Sequence, residues 1–187
     1  MQAKIMLSNR HIHLSREHAE ILFGSADNFT VAKQLEGMYV PKETITVKGP
    51  KGTIENVTIL LPCRGFTQFE MFRSDMFVLG VNAPLSESGD LSNAAELTLI
   101  GTHGELTLPC GIVALRHIHL GEKIGQEAGI PDGAMVKLKI DGCRAMVMEQ
   151  VLVRYVKNST SCVVHLDFEE GNAAWLKNGA TGTIIKD

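Results

Sequence analysis

Two stretches of this chain carry the same five residues, Arg10-His11-Ile12-His13-Leu14 and Arg116-His117-Ile118-His119-Leu120. In an extended strand residues i and i+2 project to one face, so each stretch presents two imidazoles side by side. Imidazole is the commonest protein ligand for a metal such as zinc, and two such clamps supply four ring nitrogens. One isolated His-x-His is equally the mark of a solvated strand face or of a hydrogen-bonded histidine pair. The recurrence of the whole five-residue block in one short chain favours metal. A catalytic zinc takes three protein ligands and keeps one position open, so each clamp needs a third donor from elsewhere. Glu70 alternates with the apolar Phe69 and Met71 and shares a face with Gln68 and Phe72, which is not the pattern of a clean surface carboxylate. His165 lies in the apolar run Val163-Val164-His165-Leu166, where an imidazole without a partner would be costly. Taken alone it serves equally well as a ligand or as a core histidine bonded to a backbone carbonyl. His18 on a predicted helix and His103 in a predicted turn read as surface residues.

Arginines flank these groups. Arg10 and Arg116 precede the two clamps, and Arg64 and Arg73 bracket Glu70. The guanidinium fork matches two oxygens of a phosphate or carboxylate at once, so arginines beside a metal suit such a substrate. Arg73, two residues from Asp75, reads instead as half of a surface ion pair.

The elements that would position these residues are mostly short strands. Thr44–Lys48 and Ile54–Leu61 are β-branched runs joined by Gly49-Pro50-Lys51-Gly52, a hairpin signal. Further strands are expected over Gln68–Phe72, Glu96–Ile100, Glu105–Leu108, Gly111–Leu115, Met135–Ile140, Arg144–Val156, Cys162–Phe168 and Thr181–Lys186. Helices are few: Arg16–Phe23 behind a Ser15 N-cap and before Gly24, Glu122–Ala128 before Gly129, and Glu169–Lys177. Short strands separated by turn residues indicate a mainly β protein of barrel or sandwich type rather than βαβ units. Two barrel-like halves, each opened by the repeated block, explain the spacing.

Composition sets the outer bounds. The 187 residues suffice for one domain or two small ones, and 44% hydrophobic with 21% charged residues is a globular balance. A net charge of −3 argues against a dedicated nucleic-acid binder. No signal peptide or run of membrane-spanning length is apparent. Cys63, Cys110, Cys143 and Cys162 form no C-x-x-C pair and read as free thiols of a reducing, cytoplasmic compartment.

An N-terminal His-x-His also opens the amidohydrolase barrels, for which this chain is too short and too rich in strands. His11-x-His13-x-x-x-Glu17 partly fits a cupin metal motif, but Glu17 is predicted helical and the second clamp has no place there. The blocks Ser8–Ser15, Arg64–Gly80, Ala83–Asp90, Leu115–Leu120 and His165–Ala173, in that order and spacing, resemble the PduL-type phosphotransacylases, zinc-dependent phosphate propanoyltransferases of propanediol utilisation. The resemblance implies two small β-barrels with short capping helices and a di-zinc active site between them. It implies that residues 1–9 join 115–187 in one barrel, that 10–23 and 44–114 form the other, and that 24–43 is a lid or insert. It assigns His11, His13 and Glu70 to one zinc, His117, His119 and His165 to the other, and Arg64 to phosphate as the catalytic, substrate-binding residue. The implied reaction interconverts a short-chain acyl-CoA, propanoyl or acetyl, and phosphate with acyl phosphate and CoA, in a homodimer that binds neither nucleic acid nor membrane. Microcompartment members of the family often carry an amphipathic N-terminal extension. The motif here begins at Ser8, so a freely cytosolic enzyme is expected, with association to a microcompartment shell as the alternative. The alternatives are a zinc-dependent hydrolase of acyl-CoA or related esters, or a cupin-like metal oxygenase.

Overall fold

The computed structural model describes residues 1–35 and 37–186. Glu36 and Asp187, which fall in the expected 24–43 insert and 115–187 half, lie outside the described residues. The chain forms two compact units, Arg10–Ala114 and Met1–Asn9 with Leu115–Asp187. Among the described residues no helix is long and apolar enough to cross a membrane.

The strand β1 (Gln2–Ser8) belongs to the second of these units, and the chain then enters the first with β2 (His11–Ser15) and α1 (Arg16–Phe23). There follow the hairpin β3 (Val31–Leu35) and β4 (Met38–Pro41), then β5 (Thr44–Lys48), β6 (Thr53–Arg64) and β7 (Gln68–Glu70). The unit closes with α2 (Asp75–Leu79), β8 (Leu85–Ser86), β9 (Ala95–Ile100) and β10 (Glu105–Ala114). The strand order β2-β7-β10-β9-β5-β6 is closed by pairing of β2 with β6, which makes a six-stranded barrel. The β3–β4 hairpin is attached through Tyr39 opposite Leu61 on β6.

The other unit adds β11 (His117–Gly121), α3 (Glu122–Ala128), β12 (Met135–Ile140), β13 (Met146–Val156), β14 (Cys162–Asp167), α4 (Phe168–Ala173) and β15 (Thr181–Ile185). Its closed order is β1-β14-β11-β13-β12-β15. Compared strand for strand, the two rings have one topology. The clamp strand lies parallel to the long strand beside it, β6 in the case of β2 and β13 in the case of β11. It lies antiparallel to β7 in one ring and β14 in the other. Those strands pair in parallel with β10 and β1 respectively, and the remaining contacts, β5–β6, β5–β9 and β9–β10 against β12–β13, β12–β15 and β1–β15, are all antiparallel. The five-residue repeat therefore sits at equivalent places in two barrels of one topology, with β1 filling in the second ring the place that β10 fills in the first.

Alternation within the clamps explains where the histidines go. Ile12 and Leu14 are fully buried in one apolar core and Ile118 and Leu120 in the other, so the intervening histidines take the opposite strand face. Each clamp strand runs into a helix. The Ser15 hydroxyl accepts the His18 N–H at the start of α1, and Gly24, at φ +76°, ends it. Asp167 and Glu170 form a reciprocal capping box on α4.

Several boundaries differ from the sequence-based expectation. The pieces over 105–108 and 111–115 are one strand, because a register shift between Pro109 and Gly111 carries the ladder past the proline. The last helix stops at Ala173 rather than Lys177, where Trp175 takes φ +57° and the Leu176 N–H turns back to the Gly171 carbonyl. The helix α2 and the β3–β4 hairpin were not expected.

Candidate metal centres

Antiparallel pairing of β2 with β7 sets His11 opposite Glu70 and His13 opposite Gln68. The Glu70 Oε2 atom lies 3.5 Å from His11 Nε2 and Oε1 lies 4.0 Å from His13 Nε2. One ligand atom from each of the three residues falls within 4.8 Å of the others. His11 and His13 are buried, and their rings meet edge to face at 5.0 Å. Burial, reinforced by the charges of His11 and Arg64, lowers the His13 pKa from 6.5 to about 3, against the pull of Glu70. The ring is therefore neutral, the form that binds metal. Its Nδ1 is buried without a hydrogen-bond partner, although the Leu60 backbone exerts a weak pull towards protonation. A buried polar atom left this way is costly unless something binds there, and a His2Glu donor set is one that zinc accepts.

Glu70 is held from behind. The Gln68 side-chain N–H and the Ser88 hydroxyl both donate to Oε1, at 2.8 and 2.9 Å, and Gln68 Oε1 accepts the Gly89 N–H at 2.7 Å. Such hydrogen bonds orient a metal-ligating carboxylate.

In the second unit β11 pairs with β14 so that His117 stands opposite His165, and His119 opposite Val163. The three rings converge: His117 stacks on His165 at 5.1 Å with a 5° tilt, and His119 lies 4.9 and 4.8 Å from them. His117 Nδ1 is 3.0 Å from the Leu115 carbonyl. A carbonyl only accepts, so Nδ1 carries the proton and Nε2 presents its lone pair, the usual arrangement for a metal-binding imidazole. The two third residues, Glu70 and His165, occupy the same register position, directly opposite the first histidine of the clamp.

The arginines divide. Arg64 ends β6 in register with Ser15, and its charge bears on His13. Arg10 and Arg116 are instead engaged by acids of their own units: Arg10 Nε donates to Asp75 at 2.9 Å and Arg116 Nε to Glu170 at 2.7 Å. The expected Arg73–Asp75 pair is not what forms. Asp75 turns inward to accept Arg10 and the Phe72 N–H, while Arg73 lies over the Phe77 ring at 5.1 Å. His18 is also not an ordinary surface residue, since it is half-buried with Nδ1 2.8 Å from the Thr67 hydroxyl. Thr67 is buried and also accepts the Ser15 N–H, so the pair braces the β2–α1 junction. His103 is exposed.

Gln68 and Ser88 were missed as site residues. Gln68 had a signal, since it shares the Glu70 face two residues away, whereas Ser88 is 18 residues distant and only the fold brings it near.

Comparison with known proteins places these features in one family. A family model described as phosphate propanoyltransferase matches residues 4–177. The chain is similar to the phosphate propanoyltransferase of Alkaliphilus metalliredigens, at 41% identity over 189 residues that cover 100% of this chain and 89% of that protein. It is similar also to the phosphate propanoyltransferase of Thermotoga maritima, at 44% over 184 residues (96% and 87%), and to that of Clostridioides difficile, at 38% over 186 residues (98% and 88%).

Proposed function

Because the chain belongs to the phosphate propanoyltransferase family, an acyltransferase family, we propose that it interconverts a short-chain acyl-CoA and phosphate with acyl phosphate and CoA, with one zinc ion held by each of its two clusters. The observation that carries the metal assignment is the pair of register-equivalent clusters, His11–His13–Glu70 and His117–His119–His165, the first with an unsatisfied buried nitrogen. Bound zinc supplies Lewis-acid stabilisation for the departing thiolate and for an oxygen of the phosphate or the carbonyl. Arg64 binds the phosphate and fixes its approach to the thioester carbon, a role that suits a guanidinium fork. The Cys63, Cys110 and Cys162 thiols are each pushed up by burial, the opposite of an activated nucleophile. Of the two hydroxyl–imidazole pairs described, Thr67 with His18 is committed to backbone bracing and Thr102 with His103 sits in an exposed turn. These features favour direct attack by phosphate, without an acyl-enzyme.

Propanoyl and acetyl groups differ by one methylene, which an apolar pocket discriminates only modestly, so both thioesters are substrates. The family resemblance further supports a cytoplasmic homodimer, with residues 24–43 as a lid. The test is CoA release from propanoyl- and acetyl-CoA, with and without phosphate and with and without a chelator. Release that needs phosphate, stops on chelation and returns with zinc is expected, together with a raised apparent KM for phosphate in Arg64→Ala. Release without phosphate would instead identify a thioester hydrolase, and an unchanged phosphate KM would remove Arg64 from its role.

A further inference from the structure

We infer that Gln68 is the positioning residue of the His11–His13–Glu70 cluster, fixing which Glu70 oxygen meets a metal and tying that carboxylate to the Ser88–Gly89 turn; this rests on Glu70 being a ligand. Gln68 is fully buried, and an amide is placed there only if both its ends are satisfied. Its orientation follows from chemistry. The Gly89 backbone N–H can only donate, so the atom 2.7 Å from it is the amide oxygen, and the amide nitrogen necessarily faces Glu70 and Ser88. That nitrogen donates to Glu70 Oε1 at 2.8 Å and to the Ser88 hydroxyl at 2.8 Å. The hydroxyl passes its own hydrogen to the same Oε1 at 2.9 Å. Two donors thus occupy the two lone pairs of Oε1, and Oε2 is the oxygen presented towards His11, at 3.5 Å.

The His117–His119–His165 cluster has an internal contrast at the matching place. The residue two before His165, opposite His119, is Val163, which has no donor to give. A change at Gln68 therefore acts on one cluster and not on the other.

The test is zinc titration of the full-length protein against a chromophoric chelator, together with the visible spectrum of the cobalt-substituted protein. In Gln68→Met, which keeps the volume and removes both polar ends, one class of site loses about 10- to 100-fold in zinc affinity and the other class is unchanged. The cobalt ligand-field bands of the weakened class shift, a change that general loosening of the barrel would not confine to one site. Ser88→Ala, which removes one of the two donors and leaves the amide, gives a smaller loss at the same class and serves if Gln68→Met does not fold. Unaltered affinity and spectrum in a folded Gln68→Met, or in Ser88→Ala where Gln68→Met does not fold, overturns the positioning role. Unaltered affinity in Glu70→Ala overturns the ligand assignment itself, so the two failures are distinguishable.

Discussion

The burial of His13 makes a quantitative prediction for the metal-free protein in mild acid. The ring is only 2% exposed, and its pKa falls from 6.5 to about 3, first because burial disfavours the charged form and then because His11 and Arg64 repel it. Below pH 6.5 the unfolded chain takes up a proton on this residue that the folded chain refuses until about pH 3. Stability is therefore complete above pH 6.5 and declines through this window as the pH falls, by about 1.4 kcal/mol per unit. Between about pH 7 and pH 5 the loss from this one group is about 2 kcal/mol. Urea unfolding of chelator-stripped protein at the two pH values measures it. Other groups titrate as well, so the comparison is with His13→Gln, which is less stable at both values yet loses about 2 kcal/mol less between them. Parallel pH dependence in the two proteins would refute the claim that burial keeps this ring neutral.

Three other outcomes follow from the packing. Asp75→Ala leaves Arg10 without its buried partner and the Phe72 N–H without its acceptor, and should lower stability by about 3 kcal/mol in denaturant titration; a loss under about 1 kcal/mol would mean the pair is dispensable. Gly101→Ala sets a new Cβ 2.2 Å from the Leu22 carbonyl oxygen, whereas Gly65→Ala meets nothing within 4 Å, so thermal unfolding should show a loss of about 2 kcal/mol or more for the first and under about 0.5 kcal/mol for the second. Cys143 is exposed while Cys110 is buried, its thiol pushed up to about 12, so an aromatic disulfide reagent should modify the former rapidly and the latter only on unfolding. Persistence of the fast phase in Cys143→Ser would contradict that order.

What the sequence disclosed was what local chemistry determines. The helix Arg16–Phe23 was legible because its hydroxyl cap and terminal glycine are adjacent to it, and the clamps because a strand of period two needs only a few residues to declare itself. Glu70 and His165 stood out as candidates for the third place in each cluster, but only the register between β2 and β7 and between β11 and β14 decides that place. The partner of Arg10 was out of reach for the same reason: its acid lies 65 residues away, while Arg73, two from that acid, lies over the Phe77 ring instead. His18 looked like surface because the hydroxyl that engages it comes from across the fold, 49 residues on. The shared topology shows the contrast most clearly. Beyond the repeated block the two rings share little sequence, yet every pairing direction in them is the same.

That shared register also explains why the clusters differ in the one place they do. A carboxylate that is 14% exposed needs donors to replace the water it has lost. Beside Glu70 they come from Gln68, opposite His13, and from Ser88. The residue in the Gln68 position of the other ring is Val163, and a carboxylate at 165 would lack that donor. An imidazole asks less, since it carries no full negative charge and can stack, as His165 does on His117. The third residue of each cluster and its neighbour on the strand are thus matched to one another. Were the proposed zinc ions bound, the clusters would differ in charge, because a divalent ion would keep its full charge among three neutral histidines and half of it beside a carboxylate. On that proposal the cluster of three histidines would be the stronger attractor for an anion, and the Glu70 cluster would be better matched to a group, such as a thiolate, that must also leave.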